Sequence, residues 1–227
     1  MNLNKITGYR IFSFFLLLVV FGIYLSGCVN VNQKTTINAD GSGTIKLEYW
    51  TKMSNLTSST DLGDFSFEEA KAKTNYTSSN SDVSNVKVAD KLDDSTKHVT
   101  MDISFKNLND LPKAKGFEKI TSSWKEGKEG MDFKYTLLKD TSAADNMGAS
   151  DIKLTYEFTF PGEVLSTNGT KTDKTVKWEK SLSDLKNDID MTASVKKEGK
   201  KCGLFGLEMP LVFLLGMIFV RRITRKK

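Results

Sequence analysis

Apolar and polar residues alternate along most of the chain, and that alternation predicts strands. Thr44-Ile45-Lys46-Leu47-Glu48-Tyr49 sets an apolar side chain at every second position, the period of a half-buried strand. Val29 to Ile37 before it is β-prone, and the turn-rich Asn38-Ala39-Asp40-Gly41-Ser42-Gly43 between them predicts an opening hairpin. Val99, Met101, Ile103 and Phe105 share one face of a strand over 98–105. Phe133, Tyr135 and Leu137 do so over 132–137, and Ile152, Leu154, Tyr156, Phe158 and Phe160 over 151–160. Pro161-Gly162 then suits the central positions of a type II turn. Val164-Leu165 and Thr175 to Trp178 flank Asn168-Gly169, which reads as a hairpin turn, and Met191, Ala193 and Val195 mark a last strand. Helical signals are short. Ser66 with Glu69 has the spacing of a capping box for a helix to about Lys73, and Asn109 to Lys115, closed by Gly116, predicts a single turn. The Ser/Thr/Asn-rich stretches 51–60 and 74–84 read as loops. The pattern as a whole predicts an α+β fold, mainly antiparallel β-sheet with one to three short helices.

Both ends of the chain break the alternation. Lys5 and Arg10 precede an almost unbroken apolar run from Ile11 to Leu25, and Ser26-Gly27 then leads into Cys28. This is the tripartite pattern of a lipoprotein signal occupying residues 1–27, with cleavage between Gly27 and Cys28. Only a thiol can form the thioether to a diacylglyceryl group, so Cys28 is the expected lipidation site, its fatty chains of the palmitate type. Gly203 to Val220 is an apolar stretch of 18 residues interrupted by Glu208 and Pro210. At ~1.5 Å per residue it reaches about 27 Å, the thickness of a bilayer's hydrocarbon core. Arg221, Arg222, Arg225, Lys226 and Lys227 follow it, and such a basic cluster holds the tail on the cytoplasmic side. The expected organisation is therefore an exported β-rich domain over 28–195, a linker over 196–202, a transmembrane helix over 203–220 and a basic tail over 221–227. Cys202-Gly203, just before the span, leaves open processing or S-acylation at Cys202. The Leu-Pro-x-Thr-Gly motif of cell-wall sorting is absent there.

Charge changes the picture less than it promises. The formal net charge is +5, but the signal and the tail carry the excess. Residues 29–201 hold 26 Lys against 27 Asp and Glu and contain no Arg, so the basicity reflects topology and argues against nucleic-acid binding. The two cysteines sit at the anchors, which leaves the exported domain without a disulfide, and about 170 residues can bury a core without one.

A family resemblance rests on the order of several turns and strands. The cysteine-ending signal and Asp40-Gly41-Ser42-Gly43 come first. Phe160-Pro161-Gly162-Glu163-Val164, Asn168-Gly169-Thr170, Thr175-Val176-Lys177-Trp178 and a terminal span follow. That order resembles the LppM-type bacterial lipoproteins over about residues 28–220. The resemblance implies an exported α+β domain with an antiparallel sheet, and contact with envelope lipids or glycolipids. It brings no catalytic residues.

Candidate chemistry is sparse. His98, the one histidine, falls on the polar face of its strand and reads as a surface residue. Asn38-x-Asp40-x-Ser42-Gly43 imitates the first half of an EF-hand loop, but position 12 would be Tyr49, so a hairpin turn is expected and no metal site. Glu68-Glu69, Asp93-Asp94 and Asp188-x-Asp190 have the proximity glycosidases need, yet so many acids among so many lysines make such pairs a chance outcome. Trp50, Trp124 and Trp178 can line a ligand cavity or a core. The expectation is a non-catalytic protein without a cofactor, held at the cell membrane by Cys28 and a single span, with 28–202 outside. It would bind envelope lipid, glycolipid or a partner protein. The alternative is a structural or adhesive surface protein without a small-molecule ligand. An apolar cavity would favour the first and a filled core the second.

Overall fold

The opening hairpin forms as the alternation predicts. In the computed structural model, which describes residues 29–56, 59–145 and 149–197, β1 (Asn30–Ile37) pairs antiparallel with β2 (Gly43–Lys52). Gly41 takes φ +84° in the turn, and its amide donates to the Asn38 carbonyl at 3.0 Å. At Gly43 a Cβ would lie 2.2 Å from the Thr36 carbonyl oxygen, so only glycine lets the strands close there.

A small hairpin of β3 (Asp61–Leu62) and β4 (Phe65–Ser66) leads into helix α1 (Glu69–Tyr76). Next come β5 (Ser81–Lys91), β6 (Thr96–Phe105), β7 (Ile120–Glu126), β8 (Met131–Leu137) and the short helix α2 (Thr141–Ala144). The chain continues through β9 (Lys153–Thr159), β10 (Val164–Thr167), β11 (Thr170–Thr172), β12 (Thr175–Ser181) and β13 (Ile189–Val195). Seven strands form one sheet in the order β11-β12-β9-β1-β2-β6-β5, and four form a second in the order β10-β13-β8-β7. Among the described strands every pairing is antiparallel except β1 with β9.

The two sheets face each other across a core with aromatic rings at one end. Phe158 is fully buried, with Phe133 at 4.7 Å, Tyr135 at 5.2 Å and Trp178 at 5.9 Å between ring centroids. Val29 leads into β1, whose Val31 pairs with Leu154, at the end where Ile189 pairs with Leu137. The Lys196 amide bonds the Glu163 carbonyl beyond the other end of β9, so Val29 and Lys197 leave the domain at opposite ends. Contacts divide the chain after Lys197, and 198–227 lies outside the described residues.

Several local expectations are corrected. Ser66 does not cap α1, because its backbone is committed to β4; its hydroxyl accepts from the Glu68 amide at 3.4 Å, and the helix starts at Glu69 and runs to Tyr76. Glu69 instead accepts the Val88 amide of β5 at 3.3 Å. The turn expected over 109–115 is two 3-10 helices, Leu108–Lys113 and Lys115–Phe117, the first capped by the Asn107 side chain. The loops expected over 51–60 and 74–84 lose ground to β2, α1 and β5. β5 escaped the sequence because a register shift between Ser84 and Lys87 interrupts its alternation and its outer half is exposed. β7 was missed as well.

Gly162 does not adopt the left-handed conformation a type II turn requires, and Pro161-Gly162 is a bend. Glycine is needed there for another reason: a Cβ would sit 2.0 Å from the Lys196 carbonyl oxygen. Asn168-Gly169 is not a hairpin turn. β10 pairs with β13 in the smaller sheet while β11 pairs with β12 in the larger, across a turn where Asp173 takes φ 55°, so Asn168-Gly169 is the corner between sheets.

Candidate functional site: a cavity between the sheets

Where the aromatic packing ends, a cavity of about 190 Å³ opens between the two sheets. Its walls come from Val31 and Gln33 on β1, Leu47 on β2, and Leu154 and Tyr156 on β9. Opposite them stand Ile120 of β7 and Tyr135 and Leu137 of β8. The β3–β4 hairpin contributes Leu62 and Phe65, α1 its terminal Tyr76, and the 3-10 helix Leu182–Lys186 contributes Leu182 and Leu185. The physical cause is side-chain size. Phe133, Phe158, Phe160 and Trp178 fill the space between the sheets at one end, whereas Val29, Val31, Leu47 and Leu154 are too small to do so at the other.

Polar groups inside are few. Gln33 is 2 % exposed; its Nε2 donates to Thr35 Oγ1 at 3.0 Å and its Oε1 accepts the Tyr135 hydroxyl at 3.4 Å. In the core beside the cavity, the Tyr49 hydroxyl donates to the Ser66 carbonyl. No hydrogen bond joins the hydroxyl of Tyr76 or Tyr156 to another described residue, although these side chains are 1 % and 7 % exposed. Burial pushes all four phenols well above their ordinary range, so they remain neutral donors.

The mouth is charged and apolar at once. Lys119 Nζ lies 3.5 Å from an Asp64 carboxylate oxygen and 3.2 Å from one of Asp140. The other Asp140 oxygen accepts from the Ser142 hydroxyl at 2.6 Å and from the Ala143 amide at 3.0 Å, which caps α2. Leu138, 37 % exposed, and the half-buried Leu185 complete the rim. Hydrogen bonds from Ser142 and Ala143, and then Lys119, hold the Asp140 carboxyl below its ordinary value. Partial burial pulls the Lys119 ammonium down, but the bond to Asp140 and the charge of Asp64 outweigh it and leave it above its ordinary value.

These shifts set a pH window for the mouth. A carboxylate depressed in the folded state contributes stability above its unfolded pKa of about 3.9, and loses it as pH falls through the lower folded value. A raised ammonium contributes below about 10.4 and loses its share as pH rises beyond that. The ion cluster should therefore hold from about pH 5 to about pH 10. Thermal unfolding followed by circular dichroism should give a plateau over that range. Below about pH 4, Asp140→Asn should lose less stability than the parent. An equal loss in both proteins would show that Asp140 contributes nothing.

The structure places the residues singled out in the sequence as follows. His98 is not a surface residue: it points away from the core as the alternation predicts, yet Trp50, directly opposite on β2, stacks on it at 5.4 Å and 2° and leaves it 7 % exposed. Its Nδ1 lies 2.8 Å from Glu48 and its Nε2 2.9 Å from Thr96. None of the three tryptophans lines the inter-sheet cavity. Trp50 is on the outer face, while Trp124, stacked on Phe160 at 6.1 Å, and Trp178 belong to the aromatic end. Asp40 bonds the Ser42 amide and hydroxyl within the hairpin turn. Among the acid pairs, Asp94 bonds Thr96, Asp188 accepts the Lys139 amide, and Asp190 joins Thr136 and Lys134.

Gly27, Cys28, Cys202, Arg221, Arg222, Arg225, Lys226 and Lys227 lie outside the described residues, as do the signal and the expected span. Among the described residues no helix is long and apolar enough to cross a membrane, and no group of three His, Cys, Asp or Glu is placed to hold a metal ion. An apolar concavity beside the sheet was expected from the sequence, but the residues that line it and the charged mouth were not. The one signal was Gln33 and Thr35 on the same inward face as Val29, Val31 and Ile37, where polar side chains need a reason.

The LppM domain family matches residues 30–197. No curated protein matches the chain. Among solved structures it is similar to the folded domain of LppM from Mycobacterium tuberculosis, determined by NMR. That comparison has a TM-score of 0.46 and 16 % identity, and covers 77 % of this chain and 93 % of the other.

Proposed function

Because the chain belongs to the LppM-type lipoprotein family, we propose that it is a non-catalytic envelope lipoprotein that takes up the apolar part of a lipid or glycolipid. The membrane would hold it through Cys28 and through the span over 203–220, whose basic tail at 221–227 stays inside. The observation that supports this reading is the inter-sheet cavity, apolar within and carrying the Lys119, Asp64 and Asp140 charges at its mouth. A dry cavity of about 150 Å³ can accept benzene, so this one has room for about seven carbons of an acyl chain. At ~0.8 kcal/mol per methylene taken from water, that is about 6 kcal/mol. Lys119, with side-chain exposure of 59 %, stands where an anionic headgroup would be met. The cavity favours this reading over an adhesive protein with a filled core.

A tryptophan at the rim supplies the test, since the native ones sit elsewhere. In the 29–197 domain carrying Leu185→Trp, short-chain phospholipids and glycolipids should shift the emission saturably to the blue. Native mass spectrometry of domain taken from cells should show a retained lipid. An unmoved emission across all lipid classes, with no retained mass, would return the protein to the adhesive reading.

A further inference from the structure

Val29 is both a wall of the cavity and the residue bonded to Cys28. It is 3 % exposed and leads into β1, which is hydrogen-bonded on both sides, to β2 and to β9. The Asn30 side chain adds a bond from the Lys153 amide at 2.9 Å. The point at which the chain enters the sheet is therefore fixed, one peptide bond from Cys28 in the sequence.

We infer that the cavity receives an acyl chain carried by Cys28 of the same molecule, so that the domain shelters its own anchor. This rests on the lipidation of Cys28 and on the cavity's being a lipid site. Four observations converge on that occupant. The wall nearest the tether is apolar, made by Val29, Val31 and Leu154. Leu138 and Leu185 give an apolar way in beside Lys119. The space suits a short run of methylenes and not a whole lipid. The hydroxyls of Tyr76 and Tyr156, which bond no other described residue, can donate to the ester oxygens of a diacylglyceryl group. A chain tethered one residue away has an effective concentration that a freely diffusing lipid does not reach. Leaving the bilayer for the cavity exchanges one apolar surrounding for another, so the chain can pass between the two. With one chain in the cavity the other chain still holds the N-terminus at the membrane; an external lipid that displaces the sheltered chain returns it to the bilayer.

The test uses the full-length protein, lipidated in cells fed a fatty acid bearing an alkyne and a photoreactive diazirine, and irradiated in isolated membranes. Label retained by the parent and lost in Cys28→Ala establishes the lipidation independently. The expected result is an intramolecular crosslink from the lipidated N-terminal peptide to peptides holding Tyr135, Leu137, Leu154 or Tyr156. Ala143→Trp, which fills the rim, should reduce that crosslink severalfold, and so should Leu138→Asp, which charges an exposed position and leaves the core intact. Normal labelling with crosslinks to bilayer lipid alone would overturn the inference and leave the lipidation standing. A diffusible lipid retained in the cavity while the Cys28 chain crosslinks elsewhere would also overturn it, with the lipid-binding reading intact. Unchanged labelling in Cys28→Ala would remove the premise and the inference together.

Discussion

Phe158→Ala should cost the domain a third or more of its stability. The ring has no exposure and touches Phe133, Tyr135 and Trp178, whose centroids lie within 4.7 to 5.9 Å of its own. It sits where both sheets meet, so neither can collapse into the hole without carrying its hydrogen-bonded neighbours along. Truncating a buried Phe costs about 3–5 kcal/mol, against a total of about 5–15 for a domain. Urea unfolding of the 29–197 domain should show the midpoint fall by more than a third, with near-ultraviolet signals from Trp178 lost first. A midpoint within a few tenths molar of the parent would mean that the two sheets do not share one core.

Asn168→Ala should give the second largest loss. Asn168 Oδ1 accepts from Trp178 Nε1 at 2.8 Å and from the Thr192 amide at 2.9 Å, and its Nδ2 donates to the Asp190 carbonyl at 2.8 Å. One side chain thus ties β12 of the larger sheet to β13 of the smaller. Alanine removes these bonds and strands the Trp178 indole N–H, on a residue only 3 % exposed. A net loss of about 2–3 kcal/mol follows, most of it from the orphaned indole. Asn168→Asp should recover only part, since its acceptor is restored while a carboxylate oxygen then faces the Asp190 carbonyl. Full recovery by Asp would show that the bond to Asp190 contributes nothing. Trp178 emission, red-shifted in the alanine variant before unfolding, reads the same event locally.

Much of the fold was legible because alternation is a local property. The inward faces of β2, β6, β8, β9 and β13 were read from every second residue, and all of them point into the core. The hairpin at Asn38 to Gly43 was equally local, since Asp40 and Gly41 carry their turn chemistry with them. The strands that escaped did so for physical reasons. β5 is broken by its register shift and exposed on its outer half, and α1 ran past its expected end because Tyr76 packs on Phe117 at 5.1 Å, a contact no local signal announces.

Sequence by itself determined the strand faces, the α+β class, the absence of arginine between 29 and 201, and the family. Its expectations for Cys28, Cys202 and the terminal span stand on the apolar runs and basic clusters that carry them. Tertiary structure alone decided which strands share a sheet, turning Asn168-Gly169 from a hairpin into a corner. It also moved the tryptophans out of the candidate site and covered His98 with Trp50. Above all it made the cavity, whose walls come from residues as far apart as Val29 and Leu185. Alternation says which way a side chain points, but an unfilled volume depends on the sizes of all the side chains that meet there. Those meet only when two sheets close on each other.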